Sequence, residues 1–477
     1  MTMYCSQVRT VFILYGISLV RGFIGLGADN CIHSRMQPLP SDPTLWIEQR
    51  LDHFNDSDSR TWKMRYYKIM KYWKPEGPLL LFLQAGFGLP PPNLNMTEDY
   101  SDEPKFFVEQ IAEETGAAYF MMEYRYYGDS LPFVDPTTED LAYLTSRQAL
   151  ADAAHLLTTI KKAAEFQNSK VIIAGGHHAG SLAAWMKMLY PDLVDAVLSS
   201  SAPVLAKIDF SEVTESLTDT YETYGSEECG TKTTEIFNNY REMFKTSEGI
   251  EKLKKDFNLC KDNDLTIPFN QQYFMFSVIG YPYYKFAKYG IPDDITFICQ
   301  ALNSSRVEHR LSGVDRHGPW IICGECDYNL VLYLVNAIPD FRAWSYQLCN
   351  EFGHFITTSS DKQMFGKGVS MEFHVAGCQY MFGEEFNKER IEQGVINTNR
   401  MYGGLTPNVT NVVFVNGDMD PWHKVGIVHD LSDDAPAIFI KDSAHCSDFY
   451  PYFDDYDGLK EARKKIMTLL KKWIGQA

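Results

Sequence analysis

The chain lacks a basic surplus: 44 Lys and Arg stand against 62 Asp and Glu, a formal charge of −18. That balance argues against a general nucleic-acid binder, which needs clustered positive charge. Beyond residue 21 no apolar run is long enough to cross a bilayer. There is no internal repeat and no low-complexity tract. Cys323 and Cys326 form a lone CxxC without a second CxxC or a His pair, so no zinc site is completed and disulfide use is the better reading. The most telling absence is a single serine. "VIIAGGHHAGSLAAW" (171–185) has the layout of a nucleophile elbow, a strand, a Gly-rich turn and a small-residue helix, but His177 stands where the serine belongs.

What is present describes a packed protein of the secretory route. At 477 residues, with 45% hydrophobic and 14% aromatic residues, two domains or one with a large insertion are expected. Arg9 followed by "VFILYGISLV" (11–20) resembles a secretory signal. Cleavage near Ala28 would leave no membrane anchor and would remove Cys5. Nine cysteines then remain: Cys31, Cys229, Cys260, Cys299, Cys323, Cys326, Cys349, Cys378 and Cys446. The odd count leaves at least one outside intrachain pairs. Glycosylation sequons start at Asn55, Asn95, Asn303 and Asn408.

Between residues 60 and 204 strand-like runs alternate with helix-like ones. Strands are expected at "PLLLFL" (78–83), "AAYFMMEYR" (117–125), 170–174 and "DAVLSSSAPV" (195–204), with helices at 104–116, about 146–166 and after the 175–180 turn. This alternation predicts an α/β fold with a mainly parallel sheet. From about 207 to 400 helical spacing dominates, as in Ile236, Phe237, Tyr240, Met243 and Phe244. Seven of the nine mature cysteines fall there, so a helical, disulfide-stapled insertion is expected. The α/β pattern resumes with "NVVFVNG" (411–417) and "AIFIK" (437–441) and closes on an amphipathic helix marked by Leu459, Ala462, Ile466, Leu469, Leu470 and Trp473. The expected plan is therefore a signal over 1–28, a core over 29–206, the insertion over 207–400 and the rest of the core over 401–477.

The chemistry follows chain order. Hydrolases of this fold place nucleophile, acid and histidine in that order, each on a loop after a strand. Asp420 follows the strand of "NGDMDPWH", and His445 follows that of "AIFIK". Asp420 is expected to orient His445 by accepting its Nδ1–H. Alone, Asp420 would read as a turn residue before Pro421 and His445 as a structural histidine. Ser181 lies one helical turn past His177, displaced by about 6 Å along the axis, and Ser199, Ser200 and Ser201 end a neighbouring strand. None replaces the nucleophile. His177, His445 and Asp420 could alternatively converge on a metal, but no metal or other cofactor is expected.

Several ordered blocks resemble the family of prolyl carboxypeptidase, dipeptidyl peptidase II and thymus-specific serine protease. They are "QRLDHFN" (49–55), "EYRYYGDSLPF" (123–133), "RQALAD" (147–152), "SSAPV" (200–204), "SYQLCNEFG" (345–353), "NRMYGG" (399–404), "NGDMDPW" (416–422) and "AHCSDFYP" (444–451). The resemblance implies an α/β-hydrolase core whose helical insertion caps the active site, and exopeptidase cleavage after proline-type residues in a secreted or lysosomal setting. It makes His177 a degenerate nucleophile position beside Asp420 and His445. The N–H of His178 and one near Phe87 become oxyanion candidates, and Phe87 and Trp422 candidate pocket residues. Relatives carry Gly-x-Glu-Gly where this chain reads "AGFG" (85–88), and a turn glycine where it has Ala179. By chain order Cys349 would pair with Cys378. The expected protein is an inactive peptidase relative that binds a peptide or protein ligand in the cleft between core and cap, with a homodimer as the oligomer considered. The alternative is a hydrolase with residual serine-type or metal-assisted activity.

Overall fold

The computed structural model describes residues 44–89, 105–257, 259, 263–302, 336–450 and 456–476. The expected signal, Asn95, Asn303, Cys5, Cys31, Cys260, Cys323 and Cys326 lie outside these residues.

Ten strands are present among the described residues: β1 (Thr44–Arg50), β2 (Thr61–Ile69), β3 (Leu79–Leu83), β4 (Ala118–Met122), β5 (Val171–Gly176), β6 (Ala196–Ser200), β7 (Lys207–Asp209), β8 (Gly353–Phe355), β9 (Val412–Gly417) and β10 (Ala437–Ile440). Eight of them form one sheet in the order β1-β2-β4-β3-β5-β6-β9-β10. The β1–β2 and β2–β4 pairs are antiparallel, and all others are parallel. β3, β4, β5, β6 and β9 are buried at every residue. Sheets flanked by crossover helices bury both faces, which explains these unbroken apolar runs.

Among the described residues, helices that accompany this sheet include α1 (Phe107–Thr115), α2 (Ser146–Ile160), α3 (His178–Leu189) and α4 (Asp457–Trp473). α1 buries Phe107, Val108, Ile111 and Ala112 and ends at Gly116, whose φ of 67° is the left-handed cap that glycine adopts cheaply. Thr145 caps α2 by accepting the Gln148 N–H. α4 buries Leu459, Ala462, Ile466 and Leu470. These residues join Leu80, Phe82, Ile172, Leu198 and Val413 in one core cluster.

The chain divides into two compact units. The first holds the large sheet and comprises Ala28–Lys207, Ala343–Phe352 and Glu392–Ala477. The second comprises Ile208–Arg342 and Gly353–Ile391. Compared with the insertion expected over 207–400, residues 343–352 and those after 391 group with the sheet. The second unit is mainly helical, with helices including Glu212–Tyr224, Glu227–Met243, Ser247–Asp256 and Pro292–Leu302. A Cys229–Cys299 disulfide with Cα atoms 5.3 Å apart staples it. Cys378 in this unit, and Cys349 and Cys446 in the first, are also disulfide-bonded. No helix among the described residues is long and apolar enough to cross a membrane.

Candidate active site

The turn between β5 and α3 is built tightly enough to hold an unusual backbone. His177 sits there at φ 54° and ψ −128°, a conformation that costs a side-chain-bearing residue and persists only when its surroundings enforce it. Its N–H donates to the Ser200 carbonyl at the end of β6 (2.9 Å), and its own carbonyl accepts from the N–H groups of Gly180 and Ser181. The flanking glycines are sterically required. A Cβ on Gly175 would stand 2.3 Å from the Ala179 carbonyl oxygen, and one on Gly180 would stand 2.7 Å from that of Ser200. Ala179 itself is accommodated, buried at the first turn of α3.

Asp420 follows β9 and caps the short 3₁₀ turn Pro421–Val425. One carboxylate oxygen accepts the Trp422 N–H at 3.0 Å, and the other accepts His445 Nδ1 at 2.7 Å. Both side chains are fully buried. An Nδ1–H donated to carboxylate fixes the tautomer of His445, so its acid–base chemistry falls to Nε2. The ring of His177 lies 5.0 Å from that of His445 and 4.6 Å from that of Trp422, edge-on to each, and 6.4 Å from Trp344. His177, Asp420, His445 and Trp422 thus come together. His177 is 2% exposed, which leaves its imidazole filling the space beside His445.

The His178 side chain turns away into an aromatic group of Phe352 (4.6 Å), Trp344 (5.4 Å), Tyr124 (6.1 Å) and Trp185 (6.2 Å). Phe87 is half-buried in the turn after β3. That turn is fixed from outside: the Leu89 N–H donates to Glu123 (2.6 Å), Arg65 donates to the Leu89 carbonyl (2.8 Å), and Gly88 abuts Gly128 too closely for a Cβ. Ser181 is buried within α3. Among the described residues no three His, Cys, Asp or Glu are grouped to hold a metal. Asn55 and Asn408 are exposed.

Sequence reasoning missed the residues that lock the frame. Ser200 donates to Asp448 (2.5 Å) and Ser201 accepts the Cys446 N–H (2.9 Å), which ties the His445 loop to β6. Glu351 accepts from the N–H and hydroxyl of Ser146 at the start of α2, and Ser146 in turn bonds Tyr402 (2.9 Å). Tyr402 stacks flat on Trp185 of the elbow helix at 3.9 Å. The blocks "SSAPV", "NEFG" and "NRMYGG" contained these groups, but only their three-dimensional partners reveal the role.

Two of these carboxyls carry a pH dependence. Burial pushes Glu351 up to about 7 and Asp448 up to about 6, against ordinary values of 4.5 and 3.8. A raised folded value means the native state holds the proton more tightly. The stability this confers is full below the ordinary value and is lost as pH rises to the folded one. Buried His423, depressed below 6.5, works oppositely and costs stability as pH falls. Glu351→Gln removes one acid-favouring group. Its unfolding free energy relative to the native chain, read by urea denaturation, is expected to rise steadily from about pH 4.5 to 7 and then level off, at roughly 1.4 kcal/mol per pH unit at most. A pH-independent difference would refute this assignment.

The chain is similar to known proteins over most of its length. A family model described as serine carboxypeptidase S28 matches residues 49–466. The thymus-specific serine protease of Mus musculus is 30% identical over 455 residues, covering 90% of this chain and 87% of that protein. The lysosomal Pro-X carboxypeptidase of Mus musculus is 28% identical over 499 residues, covering 96% and 97%. A solved proline iminopeptidase from Mycobacterium smegmatis aligns at 11% identity with a TM-score of 0.39, covering 91% of this chain and 99% of that one.

Proposed function

Because the chain belongs to the serine carboxypeptidase S28 family, we propose that it is a pseudopeptidase of the secretory or lysosomal route, one that keeps the frame of a serine site without its nucleophile. The observation that carries this reading is His177 on the strained turn, packed edge-on against His445 and Trp422. A serine nucleophile works because a small hydroxyl sits on that turn within reach of an imidazole. The imidazole of His177 is larger, and its reactive nitrogen lies farther from the backbone. Backbone donors such as the His178 N–H can still stabilise an oxyanion. In enzymes stripped of their triad, such donors and binding together leave about 10³–10⁴-fold over water, far short of a working peptidase.

The ligand we assign to the site is a peptide, by analogy with relatives named for a Pro-X specificity. The lysosomal setting follows the same relatives. The competing reading, a hydrolase with metal-assisted chemistry, has no observation in its favour, since Asp420 is engaged by His445 and the Trp422 N–H. The test is turnover of chromogenic peptides with proline next to the scissile bond, at acidic and neutral pH. The expected rate is indistinguishable from buffer. Multiple turnover abolished by His445→Ala would overturn the proposal.

A further inference from the structure

Away from the elbow, an exposed aromatic ring sits beside an acceptor asparagine. The turn after β1 carries Phe54 and then Asn55, Asp56 and Ser57, which form a sequon. Phe54 is 46% exposed, and the Arg147 guanidinium at the start of α2 stacks on one face, 3.8 Å from the ring centre. The ring also lines a surface cleft of about 520 Å³, with Ala154 and Leu193 as apolar neighbours and Thr158, Tyr190 and Asp192 as polar ones. Asn55 is exposed and its backbone is fixed. Its carbonyl accepts from Arg50 Nη2 (2.8 Å) and from the Asp58 N–H (3.0 Å). Its Oδ1 accepts the Ser57 N–H (3.1 Å), an Asx turn. That turn uses the oxygen end of the amide, and Nδ2 has no partner among the described residues.

We propose that Asn55 carries an N-linked glycan whose first sugars pack on Phe54 and close the cleft. The inference rests on the secretory reading above, whose compartment supplies the donor, a lipid diphosphate-linked oligosaccharide. Asn55 Nδ2 bonds to the anomeric carbon of that donor, the carbon–oxygen bond breaks with its electron pair going to the diphosphate, and Nδ2 gives up one proton. A pyranose presents apolar C–H faces and a rim of hydroxyls. The faces pack on aromatic rings, and the hydroxyls need polar partners when covered. The cleft offers both: Phe54 for a sugar face, and Thr158, Tyr190 and Asp192 for hydroxyls. The reach is short, since the Cα atoms of adjacent residues are about 3.8 Å apart. Arg147 braces the ring from one side, which keeps the platform in place. Asn408 is the natural comparison. It is an exposed sequon asparagine whose chain neighbours, Pro407 and Val409, offer no aromatic ring.

The experiment is glycopeptide mapping of the full chain expressed in mammalian cells, then timed digestion of the folded protein with peptide-N-glycosidase F. Denatured protein gives the reference rate of release at each site. Asn55 is expected to be occupied. Relative to that reference, its release is expected to be at least about tenfold slower than release at Asn408, the factor that roughly 1.4 kcal/mol of seating gives. Phe54→Ala is expected to remove the delay at Asn55, a comparison that holds whether or not Asn408 is occupied. A circular dichroism melt checks that the variant folds, and Phe54→Leu, which also lacks the flat ring, serves where it does not. A glycan on Asn408 with none on Asn55, no delay at Asn55, or a delay that survives loss of the ring would overturn the inference and leave the secretory reading standing. No glycan on any sequon, with residues 1–28 retained, would overturn both.

Discussion

His177→Ser is expected to react covalently with a fluorophosphonate probe at a rate at least about 10²-fold above the native chain. That figure is the lower end of what a positioned general base contributes. In the proposed reading His445 is the base, and it is already held by Asp420 at 2.7 Å in a fully buried pair. The turn is already strained into the elbow shape, and its scaffold of Gly175, Gly180 and the Ser200 carbonyl does not involve the 177 side chain. Removing the imidazole also opens the volume beside Trp422 and His445 that a probe must enter. Labelling is to be read after digestion, as a mass shift on the new serine of the His177→Ser elbow peptide. A folded variant with no gain would locate a second block at the Phe87 turn or Ala179, and would contradict the claim that the frame is intact.

Gly175→Ala is expected to be severely damaging for a single added methyl. The new carbon would lie 2.3 Å from the Ala179 oxygen and 2.5 Å from its carbonyl carbon. Both are backbone atoms at the first turn of α3, so no side chain can rotate away. Overpacking commonly costs about 1–3 kcal/mol. Here β5 or α3 must shift as a unit, and a loss of roughly 3 kcal/mol or more, or failure to fold, is expected. Urea denaturation followed by tryptophan fluorescence measures it. Gly458→Ala serves as the comparison, since the nearest atom to its added carbon is a Tyr456 ring carbon at 3.4 Å. A Gly175→Ala midpoint within experimental error of the native one would show that the turn is looser than its contacts imply.

The central strands were legible because they are buried on both faces and read as continuous apolar runs. β1 and β2 were not. Their burial alternates irregularly, with Glu48 and Lys63 turned towards solvent and Gln49 and Arg65 buried in polar networks. No single period marks these two antiparallel strands at the end of the sheet. β4 was expected to reach Arg125 but ends at Met122, because Glu123 turns to bind Arg65, Ser130 and Leu89, and Tyr126 takes a φ of 68°. α2 was expected to reach about 166 but ends at Ile160.

The site divides the same way. Asp420 and His445 were visible from strand-end position and order, and the anomaly at His177 from a single residue type. The partners of His178 were not visible. Trp344 and Phe352 come from a stretch expected in the insertion, yet this stretch groups with the sheet and packs on the elbow helix. Periodicity reports which face of an element is buried, and it carries no information about a contact between distant segments.

The most direct test of the account is intact-mass analysis of the purified native protein after prolonged exposure to a fluorophosphonate, with His445→Ala in parallel. The account predicts no adduct on either protein, since the residue at the elbow is an imidazole without a hydroxyl to phosphonylate stably. A stoichiometric serine adduct on the native chain, absent from the His445→Ala variant, would show a working nucleophile elsewhere and contradict it.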